Sequence, residues 1–157
     1  MKVLEPSLND EDLDRLERDT FRYFAEQVNL ENGLLADNTR EDSPCSIAVV
    51  GFALTAYPIA VERKYMTRSE AVKRALTSLR FFNDGPQGPD EEAIGYHGFY
   101  YHFLDMNTGR RFGNSEISTI DSTYLIAGAL TAAAYFDRDT KDERELRRLA
   151  ESLYHRA

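Results

Sequence analysis

The stretch "NSEISTIDSTYLIAGALTAAAYF", Asn114 to Phe136, sets two carboxylates, Glu116 and Asp121, among Ser118, Thr119, Ser122 and Thr123, ahead of a run that is apolar on every side. Carboxylates transfer protons and bind hydroxyl groups, so both are candidates for substrate contact or catalysis. The structural alternatives are simple. Asp121 could bond a neighbouring loop, and Glu116 could favour the helix dipole beside a cap at Ser115. Just upstream, "AIGYHGFYYHFLDMNTGRRFGN" alternates around a turn at Asn107-Thr108-Gly109 and reads as a β-hairpin. Phe99, Tyr101 and Phe103 fall on one face, and Tyr100, His102 and Leu104 on the other. Aromatic faces edged with hydroxyl and imidazole groups suit sugar rings, which offer apolar faces and polar rims. His97 and His102, with Asp105 nearby, invite a metal. Their odd separation turns them to opposite faces of a strand, so no metal site is expected. Asp37, in "GLLAD", stands in an earlier loop within reach of a sugar, although a solvated loop carboxylate is the simpler account. Cys45 is expected to be a buried structural thiol, since no histidine is tied to it by sequence.

The elements that must position these residues are helical. A first helix spans about Asp10 to Val28, with Asn9 as its cap and Leu13, Leu16, Thr20, Phe24 and Val28 on a buried face. A second opens at Ser43-Pro44 and is apolar nearly all round from Ile47 to Val61, with Pro58 bending its last turns. A third begins at the capping box "TRSE", Thr67 to Glu70. It turns Ala71, Val72, Ala75, Leu76, Leu79 and Phe82 inward, and Lys73, Arg74, Thr77, Ser78 and Arg80 outward. The fourth helix is the opening stretch. In it Ser118, Asp121, Ser122 and Leu125 share one stripe, and Glu116 lies in the first turn, where the dipole favours ionised carboxylates. A fifth, about Lys141 to Arg156, buries Leu146, Leu149, Leu153 and Tyr154. The charges of "RDTKDERELRR" form a solvated outer face.

Helices one, three and five are amphipathic, whereas two and four are apolar all round and must be surrounded. That alternation implies an inner and an outer layer. Short links follow the inner helices and long loops precede them, so both inner helices point the same way and the long loops gather over their N-termini. The layout is that of an α/α toroid. Helix four is polar where it enters a wet cavity and apolar where it crosses the core.

The bounds agree. A chain of 157 residues, 42% hydrophobic and 29% charged, has the composition of one folded domain. A net charge of -8 without basic-aromatic clusters argues against nucleic acid and anionic membranes as partners. The longest apolar run, Ile47 to Ala60, is shorter than the roughly 20 residues that span a bilayer. "MKVLEPSLNDEDLDRLERD" has no apolar core of a secretory signal, which makes a cytoplasmic location the default expectation.

Two segments together carry a resemblance: "SIAVVGFALTAYPIAVERKYMTRSEAVKRALTSLRFF" and "YHGFYYHFLDMNTGRRFGNSEISTIDSTYLIAGALTAAAYF". They resemble the glucoamylase-like family, which includes bacterial β-1,2-glucanases and the glucoamylase-like region of cyclic β-1,2-glucan synthases. The resemblance runs from about Thr20 to Tyr154. It implies an all-α fold, a sector of an (α/α)6 toroid with about five helices and a small β-hairpin in the loop before the fourth. Residues 1–157 would then form one partial domain, the N-terminal part of the ring. It further implies a glycoside hydrolase-like function on β-linked glucan, by hydrolysis or transglycosylation, with no cofactor. Glycosidases use two carboxyl groups across the scissile bond. In "SEISTID" the resemblance offers Glu116 and Asp121 as the carboxylates of the pocket, and in "YHGFYYHF" it offers Tyr96, His97 and His102 as sugar contacts; Ser118, on the Asp121 stripe, and Asp37, in the earlier loop, are the further candidates by position. The expected partner is an oligo- or polysaccharide. Two and a half hairpins of a ring would leave inner flanks open, so a homo-oligomer, or association with the rest of the ring, is also expected. The alternative reading is a non-catalytic helical module that binds sugar or serves as an interaction scaffold.

Overall fold

Alternation of apolar and amphipathic helices produces two layers in the computed structural model, which describes residues 9–157; the expectation for the N-terminal "MKVLEPSL" lies outside the described residues. The helices are α1 (Asp10–Glu26), α2 (Ile47–Glu62), α3 (Arg68–Asp84), α4 (Thr119–Tyr135) and α5 (Lys141–Arg156). Side-chain caps start four of them. Asn9, Thr67, Ser118 and Thr140 accept from the backbone N–H groups of Asp12, Glu70, Asp121 and Glu143.

Inner helices α2 and α4 lie against each other, and α3 and α5 pair outside them. The outer pair is tied by Arg80 on Glu145, at 2.8 and 2.9 Å. Asn83 adds a bond to the Leu149 carbonyl at 3.1 Å. A more buried link is Arg68, which meets Glu143 bidentately at 2.9 and 2.8 Å and also reaches the Tyr135 carbonyl. The core between the layers contains Leu54, Tyr57, Leu79, Phe82, Leu125, Phe136 and Leu146, all fully buried. No helix among the described residues is long and apolar enough to cross a membrane.

The long loops carry five short strands: β1 (Cys45–Ser46), β2 (Gly95–Tyr96), β3 (Phe99–Tyr101), β4 (Phe103–Leu104) and β5 (Ile117–Ser118). β1 pairs with β4, and β3 lies between β2 and β5, all antiparallel. The segment from Phe99 to Leu104 therefore runs between the strands that lead into α2 and α4. The strands leading into both inner helices run antiparallel to this one segment, so the helices point the same way. Asn29 and Asn32, from the first long loop, both donate to the Met106 carbonyl in the second, at 2.9 and 3.0 Å.

Several local expectations change. Helix α1 ends at Glu26, and Val28 instead pairs with Leu35. None of α1 is fully buried, and Leu13 and Leu16 are exposed. Ser43-Pro44 does not open α2, because Cys45 and Ser46 are drawn into the ladder with β4 and the helix begins at Ile47. Ser78 is buried, not outward, because its hydroxyl donates to the Gly33 carbonyl at 2.8 Å. The main hairpin turns at His97-Gly98, both with positive φ, and joins β2 to β3. The expected turn at Asn107–Gly109 exists, capped by the Asp105 carboxylate, but closes only a single Leu104–Arg111 bridge. Strict alternation also fails. Tyr100 and Tyr101 are both buried, with their hydroxyls donating to the Phe82 and Gly88 carbonyls. Those two rings serve the core instead of presenting a face to sugar. Finally, α2 and α4 are surrounded on most sides but not all. Ile120, Tyr124 and Leu130 of α4 and Phe52 and Ile59 of α2 are exposed.

Candidate active site

His102 ties the second long loop to the start of α2 and to the segment that leads into α4. Its carbonyl accepts from Ile47 N–H, the first residue of α2, at 3.2 Å, and its own N–H donates to the Glu116 carbonyl at 2.9 Å. Its ring stacks on Phe103, centroids 3.8 Å apart and planes 17° from parallel. Held in this way, the imidazole spans two carboxylates. Nδ1 lies 2.9 Å from Glu116 Oε1, and Nε2 lies 3.7 Å from Asp121 Oδ2.

Ser118 completes the group. As the cap of α4 it accepts from Asp121 N–H at 3.2 Å, and its hydroxyl donates back to the Asp121 carboxylate. Two further serines serve the strand and not a ligand. Ser122 accepts from Tyr100 N–H at 2.9 Å, and Ser115 accepts from Phe103 N–H at 2.8 Å. The polar start of an otherwise apolar helix thus has two physical causes. Some of its groups hold the crossing strand, and the others form an open cluster of Asp121, Ser118, His102 and Glu116.

Glu116 differs from expectation in position and in the origin of its electrostatics. It precedes α4 and is not in the helix's first turn, because Ser118, not Ser115, is the cap. Its carboxyl is nevertheless held below the usual carboxylate range, first by its own backbone N–H and then by the hydrogen bond from His102. Nearby Arg111 adds to this. Arg111 was not apparent as a site neighbour from sequence. It lies 4.3 Å over the Tyr101 ring and donates to the Ser115 carbonyl at 2.6 Å, and only the folded loop reveals either contact.

The other candidates lie apart. Tyr96 and His97 pack edge to face, 4.1 Å between centroids, at the hairpin turn. That turn sits on the C-terminal end of α5, where a Cβ at Gly98 would come 2.2 Å from the Arg156 carbonyl oxygen. Asp37 is exposed, its carboxylate accepting from the Asn38 amide at 3.0 Å. Cys45 is fully buried, and burial pushes its thiol up to about 12. A groove of about 540 Å³ between α1 and α2 is lined by residues including Leu13, Leu16, Phe24, Ile59 and Arg63, and shares no residue with the cluster. Among the described residues no group of three or more His, Cys, Asp or Glu side chains is arranged to hold a metal ion.

Comparison with known proteins gives the following. No protein-family model matches the chain. The chain is 29% identical over 156 residues to an exo β-1,2-glucooligosaccharide sophorohydrolase (non-reducing end) of Parabacteroides distasonis, covering 95% of this chain and 20% of that protein. Its fold matches a β-1,2-glucanase of the same organism with a TM-score of 0.79 and 28% identity, over 94% of this chain and 21% of the other. It also matches a provisionally named glucoamylase from Bacteroides uniformis with a TM-score of 0.82 and 28% identity, over 98% and 37%. The expected resemblance therefore holds. This chain shares its fold with glucoamylase-like (α/α)6 toroid enzymes and spans about a fifth of the curated relative it matches.

Proposed function

We propose that residues 1–157 are the N-terminal part of one glycoside hydrolase-like domain that acts on β-linked glucan, with β-1,2-glucan favoured, by hydrolysis or transfer. The observation that carries this reading is the cluster itself. Two carboxylates share one imidazole at the N-termini of both inner helices, beneath the long loops, in a chain whose sequence relative is a sophorohydrolase.

Glycoside cleavage needs a proton donor and a carboxylate that stabilises or attacks the anomeric carbon or activates water. Glu116 is poorly suited to be the donor, since its carboxyl is held low and is ionised at neutral pH. It suits the anionic role, or contact with sugar hydroxyls. Asp121 is oriented by Ser118 and stands opposite His102, so in this reading it faces the sugar. Tyr96, His97 and Asp37, away from the cluster, would meet sugar units farther along a glucan. The exposed flanks of α2 and α4 would be covered by the rest of the ring or, in its absence, by a second copy.

The test compares the 157-residue chain with a ring-completed form in which it replaces the corresponding segment of the Parabacteroides distasonis β-1,2-glucanase whose fold it matches. The isolated chain is expected to release no oligosaccharide from β-1,2-glucan, and the completed form to release it. Asp121→Asn in the completed form should lower turnover by about 10²–10⁴-fold while leaving the melting temperature nearly unchanged. Normal turnover in Asp121→Asn, or a completed form inert toward every β-glucan, would remove the assignment.

A further inference from the structure

We infer that His102 is the positioning residue of this site, and that its Nε2 and the Asp121 carboxylate form a pair of acceptors for the two hydroxyls of a vicinal sugar diol. The inference rests on the glucan reading and specifies how one sugar unit would be held.

The argument starts from the ring's immobility. Bonds to Ile47 and Glu116 fix the His102 backbone, and Phe103 lies against the ring face. Nδ1 is 2.9 Å from Glu116 Oε1, and an ionised carboxylate can only accept. In the neutral ring the Glu116 contact puts the proton on Nδ1 and leaves Nε2 as an acceptor. Asp121 Oδ2, 3.7 Å away, is an acceptor as well. Two acceptors at that distance have no bond to make with each other, since hydrogen bonds to nitrogen end at about 3.2 Å. They match a ligand that brings two donors side by side. Adjacent equatorial hydroxyls of a pyranose do so, one donating to Nε2 and the other to the carboxylate. Water can occupy the same positions, but a diol delivers both donors from one rigid ring, with less ordering cost. Ser118 keeps the Asp121 carboxylate from turning away.

Three histidines, His97, His102 and His155, make the test tractable by nitrogen NMR on the histidine-labelled 157-residue chain. Without sugar, His102 should carry its proton on Nδ1, and Glu116→Ala should abolish that preference. Sophorose should then move the Nε2 resonance, and Asp121→Asn should weaken this response at least about tenfold, the cost of one hydrogen bond to a charged group. His102→Asn, whose amide reproduces the Nδ1 donor without Nε2, should keep the melting temperature and lose the same affinity. A proton on Nε2 in the free chain overturns the acceptor pair whatever the sugar does. An Nε2 that stays still while other resonances move with sophorose overturns the pair but leaves the glucan reading standing. A ring-completed form in which nothing moves with sophorose overturns both.

Discussion

Ser118 performs two tasks with one hydroxyl, capping α4 through Asp121 N–H and orienting the Asp121 carboxylate. Ser118→Ala should therefore cost about 1 kcal/mol of stability, the usual worth of such a cap, read from the urea midpoint. It should also loosen Asp121, so that sugar affinity falls by more than folding explains. A loss of stability with unchanged affinity would reduce Ser118 to a cap. Glu116 offers a second test. Two hydrogen bonds hold its carboxyl down, one from its own backbone and one from His102. Followed by carbon NMR, it should titrate below its ordinary value of 4.5 in the native chain. In His102→Ala it should move part of the way back up, because the backbone bond survives. An unmoved titration would mean that the His102 contact contributes nothing in solution.

Inner helices α2 and α4 touch backbone to backbone. A Cβ on residue 128 would come 2.1 Å from the Gly51 carbonyl oxygen, and one on residue 51 would come 2.3 Å from the Tyr124 carbonyl oxygen. Gly128→Ala must push the helices apart and should cost at least about 1–3 kcal/mol, measured by thermal or urea unfolding. The outer layer depends on a different interaction. Arg68 and Glu143 are both largely buried, and the Arg68 bond is the chief reason the Glu143 carboxyl is held low. Removing one partner strands the other, so Glu143→Gln should cost about 3 kcal/mol. The sign with pH follows from the depressed value. The pair contributes fully above 4.5 and is lost as pH falls through the lower folded value, so wild type and Glu143→Gln should converge in acid. At this scale much was legible in the sequence. Five helices, the caps at Asn9 and Thr67, and the two layers follow from periodicity and end signals. The start of α2 was not legible, because Ser43-Pro44 is a good local start signal and only the distant β4 overrides it. For the same reason Asp121, Ser118 and His102 could be picked out by residue type, whereas the placement of the imidazole between the carboxylates depends on strand pairing across more than a dozen residues.

In the molecule as a whole, apolar side chains of α2 and α4 are left exposed. Ile120 and Tyr124 are 69% and 48% exposed, and Tyr124 packs against the equally exposed Phe52. A contiguous patch of this kind drives association. Sedimentation of the 157-residue chain should show dimers or larger species whose share grows with concentration. Tyr124→Glu should shift the chain toward monomer without unfolding it. A monodisperse wild-type monomer across a wide concentration range would mean that these residues are tolerated in water and that nothing needs to cover them. The strand from Phe99 to Leu104 has a consequence of another kind. It is bonded along both edges, to β1 and to the Glu116–Ser118 segment, so its length and register cannot drift without moving both inner helices. The stretches on either side, around Gly88–Glu92 and Asn107–Gly109, bear no such double bond. Insertions there would reshape the loops beside the cluster while the cluster kept its geometry, so a lineage could rewrite those turns freely and inherit the segment between them unchanged.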